Sequence, residues 1–433
     1  MSKYITVEEA LSYVKSDNVI VSALGGAEPR EFLTNLHTIA KRVKNVTVTT
    51  CLPIEPAEYF CDEKHADSFK MDGWFYTASM RKAQKSGMVS FIPNHLHLAA
   101  SKRLKYKQPH LFVGTATLPD KHGFMSLGIS NVYEKKMLAS ADLVILEVNP
   151  NYPRTFGDVE VYIDDVDYLV KTDYPVPTLV DTEPGEKDLQ IGKFIAERIE
   201  DGSCIQLGIG GIPNAVAHSL MGKKDLGIHT EMFTSGLMKL VKAGVATGKH
   251  KQQQIGKHVA AFALGTKELY DFMDDNPSVQ ILDGHWTNDP YTISVNDKQV
   301  SINTTIEIDL TGQCASESIG HIQFSGTGGQ ADTAIGAQKS KNGRSFIALY
   351  ATAMVKSKET GEREEISKIV PFLKPGAAVS LSRNDVDMVV TEYGIAELQG
   401  TSIADRVQRL IAIAHPKFRE TLQKEARALD YIK

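Results

Sequence analysis

Residues 6–33, TVEEALSYVKSDNVIVSALGGAEPREFL, pass from helix-period apolar spacing to a continuous apolar run and then to a Gly-Gly turn. Thr6 followed by Glu9 is a capping box, so the pattern predicts helix, strand, glycine turn and a second helix. The same succession returns at 187–220, KDLQIGKFIAERIEDGSCIQLGIGGIPNAVAHSL, with Gly202 as a helix stop. Asp17, Gly26 and Pro29 match Asp201, Gly210 and Pro213 at one constant offset. Two further matches follow in the same order: PDKHGFMS around Asp120 and Gly123 with IDLTGQCAS around Asp309 and Gly312, and ADLVILEVN with VDMVVTEYG, pairing Asp142 and Glu147 with Asp387 and Glu392.

Collinear matches of this kind predict two tandem α/β domains of related topology, each a largely parallel sheet flanked by helices. Between them TDYPVPTLVDTEPGEKD, with Pro175, Pro177, Pro184 and Gly185, has no periodicity, which sets the expected domains at 1–185 and 186–433.

Composition narrows the class. An apolar share of 42%, a charged share of 23% and a net charge of −5 describe a globular chain with no basic footprint for nucleic acid. No apolar run is long enough to span a bilayer and the N-terminal stretch lacks a signal-type core, so the expected location is the cytoplasm. Cys51, Cys61, Cys204 and Cys314 are scattered without a CxxC pair, and His95 and His97 have no acidic partner at ligand spacing; neither disulfides nor a metal site are expected.

Two stretches carry candidate chemistry. FSGTGGQAD holds Gly326, Gly328 and Gly329 in close succession, which reads as a surface turn or as backbone that must approach a ligand. LGIHTEMFTSG ends an apolar run on the carboxylate of Glu231. With GIGGIP upstream, Glu231 could be the ribose anchor of a dinucleotide site, but Pro213 stands where that motif places its third glycine. Alternatively it is a nucleophile, with Thr230, Thr234 and Ser235 either orienting it or serving as strand-end and turn residues. No GxSxG elbow occurs, which removes the common serine-hydrolase motif.

Taken together, GIGGIPNAV, HTEMFTSG, SINTTIEIDLTGQ, SGTGGQAD and VVTEYGIAELQGTSIADRVQRLIAIAHP resemble, in order, the acetyl-CoA hydrolase and CoA-transferase family, and within it the 4-hydroxybutyrate and butyrate type. The resemblance implies the CoA-transferase fold in both halves, with the second half catalytic and the first lining the substrate pocket. It makes Glu231 the covalent nucleophile and Asn303 a hydrogen-bonding partner of the reacting carbonyl or of the glutamate. Ile209, Gly210 and Gly211, or Gly326, Gly328 and Gly329, become oxyanion and CoA-binding candidates. Glu392, Tyr393 and Gly394 face CoA by family position, although Glu397 and Gln399 depart from the commoner Asp and Arg. Lys339, Lys341 and Arg344 follow the glycine turn and could meet CoA phosphates or form an exposed basic turn. Gly25, Gly26, Asn94 and His95 fall in the expected wall around the acyl group.

The implied reaction is a ping-pong exchange between acetyl-CoA and a short carboxylate, 4-hydroxybutyrate or butyrate first, with CoA as substrate, no resident cofactor and a homodimer or larger homo-oligomer. Acyl-CoA hydrolysis, a non-catalytic acyl-CoA-binding protein and an NAD-dependent enzyme are the alternatives.

Overall fold

The computed structural model describes residues 3–357 and 361–433. The capping box forms: Thr6 Oγ1 accepts from the Glu9 N–H at 3.2 Å, and the Glu9 carboxylate accepts from the Thr6 N–H at 2.8 Å. Helix Val7–Ser12 follows, then strand Val19–Ser22, every residue of which is buried. Such uninterrupted burial is what a parallel strand covered on both faces requires.

The first sheet has eight strands, all paired in parallel, in the order Tyr4–Ile5, Tyr168–Lys171, Leu143–Val148, Leu111–Ala116, Val19–Ser22, Val46–Thr50, Phe69–Gly73, Val89–Phe91. A second, nine-stranded sheet repeats the plan around Cys204–Leu207, which lies between Gln299–Thr304 and Gly227–Phe233. His258–Ala263 and Val279–Ile281 extend one side; Arg344–Ala348, Met388–Thr391 and Gly394–Glu397 extend the other, with only the last pair antiparallel. The ninth strand, Phe156–Gly157, comes from the first half and pairs with Gln280–Ile281.

Two of the three sequence matches are spatial equivalents. Asp120 accepts from the N–H groups of His122 and Phe124, and Asp309 accepts from those of Thr311 and Gln313, so the same Asx-type turn follows the same strand in both halves. The third match does not hold. Leu143–Val148, which carries Glu147, is adjacent to Leu111–Ala116, whereas Met388–Thr391 lies one place further out because Arg344–Ala348 intervenes. An Asp before a buried apolar run marks a parallel strand without saying which one, and that generic pattern produced the false pairing.

A continuous apolar core joins Val21 and Phe112 of the first half to Phe262 and Ile302 of the second. Each half adds a core of its own, around Phe32, Val48 and Phe69 in one and Ile347, Val407 and Leu410 in the other. Full burial of one such side chain contributes about 1.5–3 kcal/mol, so the shared core holds the halves in a fixed relation. Between them open the C-terminal ends of the second sheet's strands, where a doubly wound sheet places its ligand sites.

Candidate active site

Strand Gly227–Phe233 is buried at every position except Glu231, whose side chain is partly accessible from a cavity between the halves. Asn288 Nδ2 donates to Glu231 Oε2 at 2.9 Å, and the Gly329 N–H also donates to the carboxylate. Gly329 precedes helix Gln330–Lys339, so the carboxylate lies at the positive end of a helix. Desolvation outweighs these donors. Neighbours crowd the group on all sides but the cavity, and burial, with a smaller contribution from nearby Asp332, raises its pKa from 4.5 to about 7.

The cavity, about 230 Å³, draws Leu24, Cys51, Leu52, Phe75 and Leu96 from the first half. Across from them lie Glu231, Asn303, Phe262 and the turn Gly326–Gly329. No Lys, Arg or His lines it among the described residues. A β-carbon at Gly329 would collide with Glu231 Oε2, and one at Gly326 would collide with the Trp74 carbonyl oxygen. The glycines therefore permit close approach: one lets the turn lie on the carboxylate, the other lets it lie on the first half.

Asn303 is held in place from behind, its Nδ2 donating to Ser301 Oγ at 2.9 Å and Thr333 Oγ1 at 3.0 Å. Thr230, Thr234 and Ser235 serve the backbone instead of the carboxylate. Thr230 Oγ1 donates to the Met232 carbonyl, Thr234 caps helix Ser235–Lys242, and Ser235 Oγ accepts from the Thr266 N–H.

Ile209 lines both the cavity and an adjoining groove. Gly210 (φ +111°) and Gly211, at the start of helix Gly211–Ser219, line that groove with Tyr350 and Lys368. Glu392 lies behind Tyr350, accepting from the Ala351 N–H at 2.8 Å and pairing with Lys187 at 2.9 Å; Tyr393 packs edge-on against His415, and Gly394 begins the edge strand. None of these three lines the cavity or the groove.

Gly25 and Gly26 form a 3₁₀ turn just beyond the cavity-lining Leu24, with Gly26 packed on Ile129. Asn94 is half-buried and donates to the His95 carbonyl, and His95 Nδ1 stands 3.8 Å from Asp332; it is Leu96, between the two histidines, that reaches the cavity. Lys339 and Lys341 are at the opposite end of the sheet, because helix Gln330–Lys339 runs back from the cavity along the strands. There the Lys341 carbonyl accepts from the Lys298 N–H, just before strand Gln299–Thr304 begins, and Arg344 starts its own strand. A strand of this length separates them from Asn303 by roughly 17 Å.

Three residues important to this geometry escaped sequence reading: Asn288, Asp332 and Lys368. Asp332 lies within the quoted SGTGGQAD stretch; Asn288 and Lys368 sit in segments with no motif, and only folding brings them to Glu231 and the groove.

An α/β protein with two large sheets and a partly buried carboxylate facing a cavity between its halves is the class this geometry defines. The chain belongs to the acetyl-CoA hydrolase/transferase family, matching its N-terminal domain over residues 1–181 and its C-terminal domain over residues 265–426. It is 41% identical to 4-hydroxybutyrate coenzyme A transferase of Clostridium kluyveri over 98% of this chain and 97% of that one. It is 40% identical to succinyl-CoA:cyclohexane-1-carboxylate CoA transferase of Geobacter metallireducens, over 98% and 95%. Among solved structures, RipA from Yersinia pestis superposes with a TM-score of 0.91 at 33% identity, covering 99% of this chain and 98% of that one. The 4-hydroxybutyrate CoA-transferase of Porphyromonas gingivalis superposes with a TM-score of 0.81 at 33% identity, over 98% and 97%.

Proposed function

We propose that the chain is a CoA-transferase moving CoA between acetyl-CoA and a short monocarboxylate, 4-hydroxybutyrate or butyrate, through a covalent intermediate on Glu231. The observation that carries this reading is the Glu231 carboxylate itself, held by Asn288 and Gly329 and open only to a largely apolar cavity between the halves. The names of the similar transferases support it.

In the first step a Glu231 oxygen attacks the thioester carbonyl, the C–S bond breaks and CoA thiolate leaves an acetyl-glutamyl anhydride. The thiolate then attacks the glutamyl carbonyl and acetate departs, leaving a glutamyl-CoA thioester. The second acid attacks that thioester to form a new anhydride and thiolate. Attack of the thiolate on the incoming acyl carbonyl releases the new acyl-CoA and restores Glu231. Tetrahedral oxyanions call for preorganised donors, a role this reading gives to backbone amides of Gly326–Gly329 or Ile209–Gly210 and to Asn303. The long CoA arm occupies the groove at Gly210, Gly211 and Lys368.

By the same reading residues 1–185 supply the pocket wall and 186–433 the catalytic half. CoA is a substrate and not a resident cofactor, and the protein works as a homodimer or larger homo-oligomer in the cytoplasm. Among the described residues no helix is long and apolar enough to cross a membrane.

Peptide mass spectrometry after incubation with acetyl-CoA alone, with borohydride reduction of the thioester, tests the reading. A CoA adduct or reduced glutamyl residue at Glu231 is expected. Unmodified Glu231 together with unconsumed acetyl-CoA across a panel of acids would overturn it, and release of free CoA and acetate without an acceptor would replace transfer with hydrolysis.

A further inference from the structure

We propose that Asp332 is a positioning residue that clamps the two halves around the acyl cavity, fixing Leu96 on one side and the Asn288-bearing turn on the other. The inference rests on the Glu231 reading above.

Asp332 lies in the first turn of helix Gln330–Lys339, three residues beyond the cavity-lining Gly329, and is almost wholly buried. Its carboxylate reaches across to the first half. Oδ2 accepts from the His97 N–H at 3.2 Å, Oδ1 meets His97 Nδ1 at 2.8 Å, and His95 Nδ1 is 3.8 Å from the same oxygen. Two contacts to one residue set its orientation as well as its distance. The residue just before His97 is Leu96, so the grip determines where that wall of the cavity stands.

The contacts continue on the other side of His97. Its carbonyl oxygen is 2.7 Å from His285 Nδ1, and the two rings stack with centroids 6.2 Å apart. His285 belongs to the short helix Gly284–Thr287, and the next residue is Asn288, the donor to Glu231. One buried carboxylate thus connects the acyl wall, through His97 and His285, to the turn that orients the nucleophile. A buried carboxylate is costly unless hydrogen-bonded, which favours the arrangement in which Asp332 keeps its contacts to His97.

A clamp of this kind acts on the reaction as well as on the interface. Cys51 and Asp332 are the ionisable groups that face Glu231, while His95 and His97 face Asp332, with His285 stacked behind His97. The negative charge of Asp332 opposes ionisation of Glu231.

The test compares wild type with Asp332→Asn, His97→Ala and Leu96→Ala, measuring kcat/KM for acetyl-, butyryl- and hexanoyl-CoA against pH. Asp332→Asn is expected to move the acid limb to lower pH by about half a unit, because a like charge is removed. It should also raise the hexanoyl-to-acetyl ratio about tenfold as the wall loosens and short chains lose their alignment. His97→Ala and Leu96→Ala should reproduce the change in ratio with the limb unmoved, which keeps the proposal testable if Asp332→Asn does not fold. Unchanged ratios in the folded variants, or a uniform loss with all three esters and an unmoved limb, would overturn the positioning role. Failure of wild type to form the Glu231 adduct would instead overturn the underlying activity.

Discussion

Asn288 Nδ2 lies 2.9 Å from Glu231 Oε2, and this amide is the larger of the two donors, ahead of the Gly329 N–H, that oppose the desolvation burial imposes on the carboxylate. In the proposed mechanism Glu231 attacks as the carboxylate, so with its pKa at about 7 the wild-type kcat/KM should fall as pH drops through that value. Asn288→Ala removes a donor that favours the ionised form and so raises the pKa further. The acid limb should shift upward and the rate at pH 7 fall on the order of tenfold, read from pH–rate profiles of the two proteins.

Glu231 also costs stability. A carboxyl whose folded pKa exceeds its unfolded one binds more protons when folded, so the penalty is absent below about 4.5, grows as pH rises and is complete above about 7. Glu231→Gln should abolish the covalent adduct and yet raise stability by about 3 kcal/mol at pH 8, with the gain vanishing near pH 4.5. Denaturant melts at the two pH values check this, and an equal effect at both would contradict it.

Gly329→Ala should be more damaging than its single methyl suggests. The new β-carbon would occupy the place of Glu231 Oε2 and crowd Asn288 Nδ2, so either the carboxylate or the turn must move. Adduct formation should fall at least about a hundredfold in single-turnover assays, since small displacements at a reacting centre cost that much.

The cavity should also discriminate by charge. A dicarboxylate such as succinate would bring its second charge into a cavity that no Lys, Arg or His lines among the described residues, and an unpaired buried charge is expensive. With acetyl-CoA as donor, kcat/KM for succinate should be at least about a hundredfold below that for butyrate in a direct acceptor comparison. Parity between the two acids would mean that the second carboxylate is solvated or paired outside the cavity.

Local signals carried much of the architecture. The Thr6 and Glu9 box and the glycine turn at Gly210 each act over a few residues and appear where their patterns placed them, and the matched stretches at Asp120 and Asp309 both fold into Asx turns. Glu231 stood out because a carboxylate at the end of a buried strand has few bland explanations. Its partners were less legible, since Asn288 is 57 positions away and only the crossing of two connections brings it near. The exchange of Phe156–Gly157 onto the second sheet left no signal, because two residues are too few for periodicity. The hydroxyls beside Glu231 were misleading in one respect: adjacency in sequence on a strand points successive side chains to opposite faces.

The basic residues give the sharpest contrast between proximity in sequence and in space. Lys339 and Lys341 follow the glycine turn by about three helical turns, and those turns carry them away from the cavity. Lys339 ends over the Tyr291 ring at 4.5 Å and Lys341 ends 3.5 Å from Asp297. Lys368 instead lines the groove beside Gly210, with its ammonium 5.8 Å from the Tyr350 ring and its pKa lowered by burial. A partly desolvated cation gains from an anionic ligand far more than an exposed one. Lys368→Met should therefore raise the half-saturating acetyl-CoA concentration about tenfold, leave that for the acceptor acid unchanged, and steepen no other parameter. Lys339→Met and Lys341→Met should leave both concentrations as they are. Initial-rate measurements with each substrate varied in turn decide the matter: an effect confined to Lys339 or Lys341 would mean that CoA reaches the far end of the sheet, and an effect of Lys368→Met on the acid alone would place the acyl group in the groove.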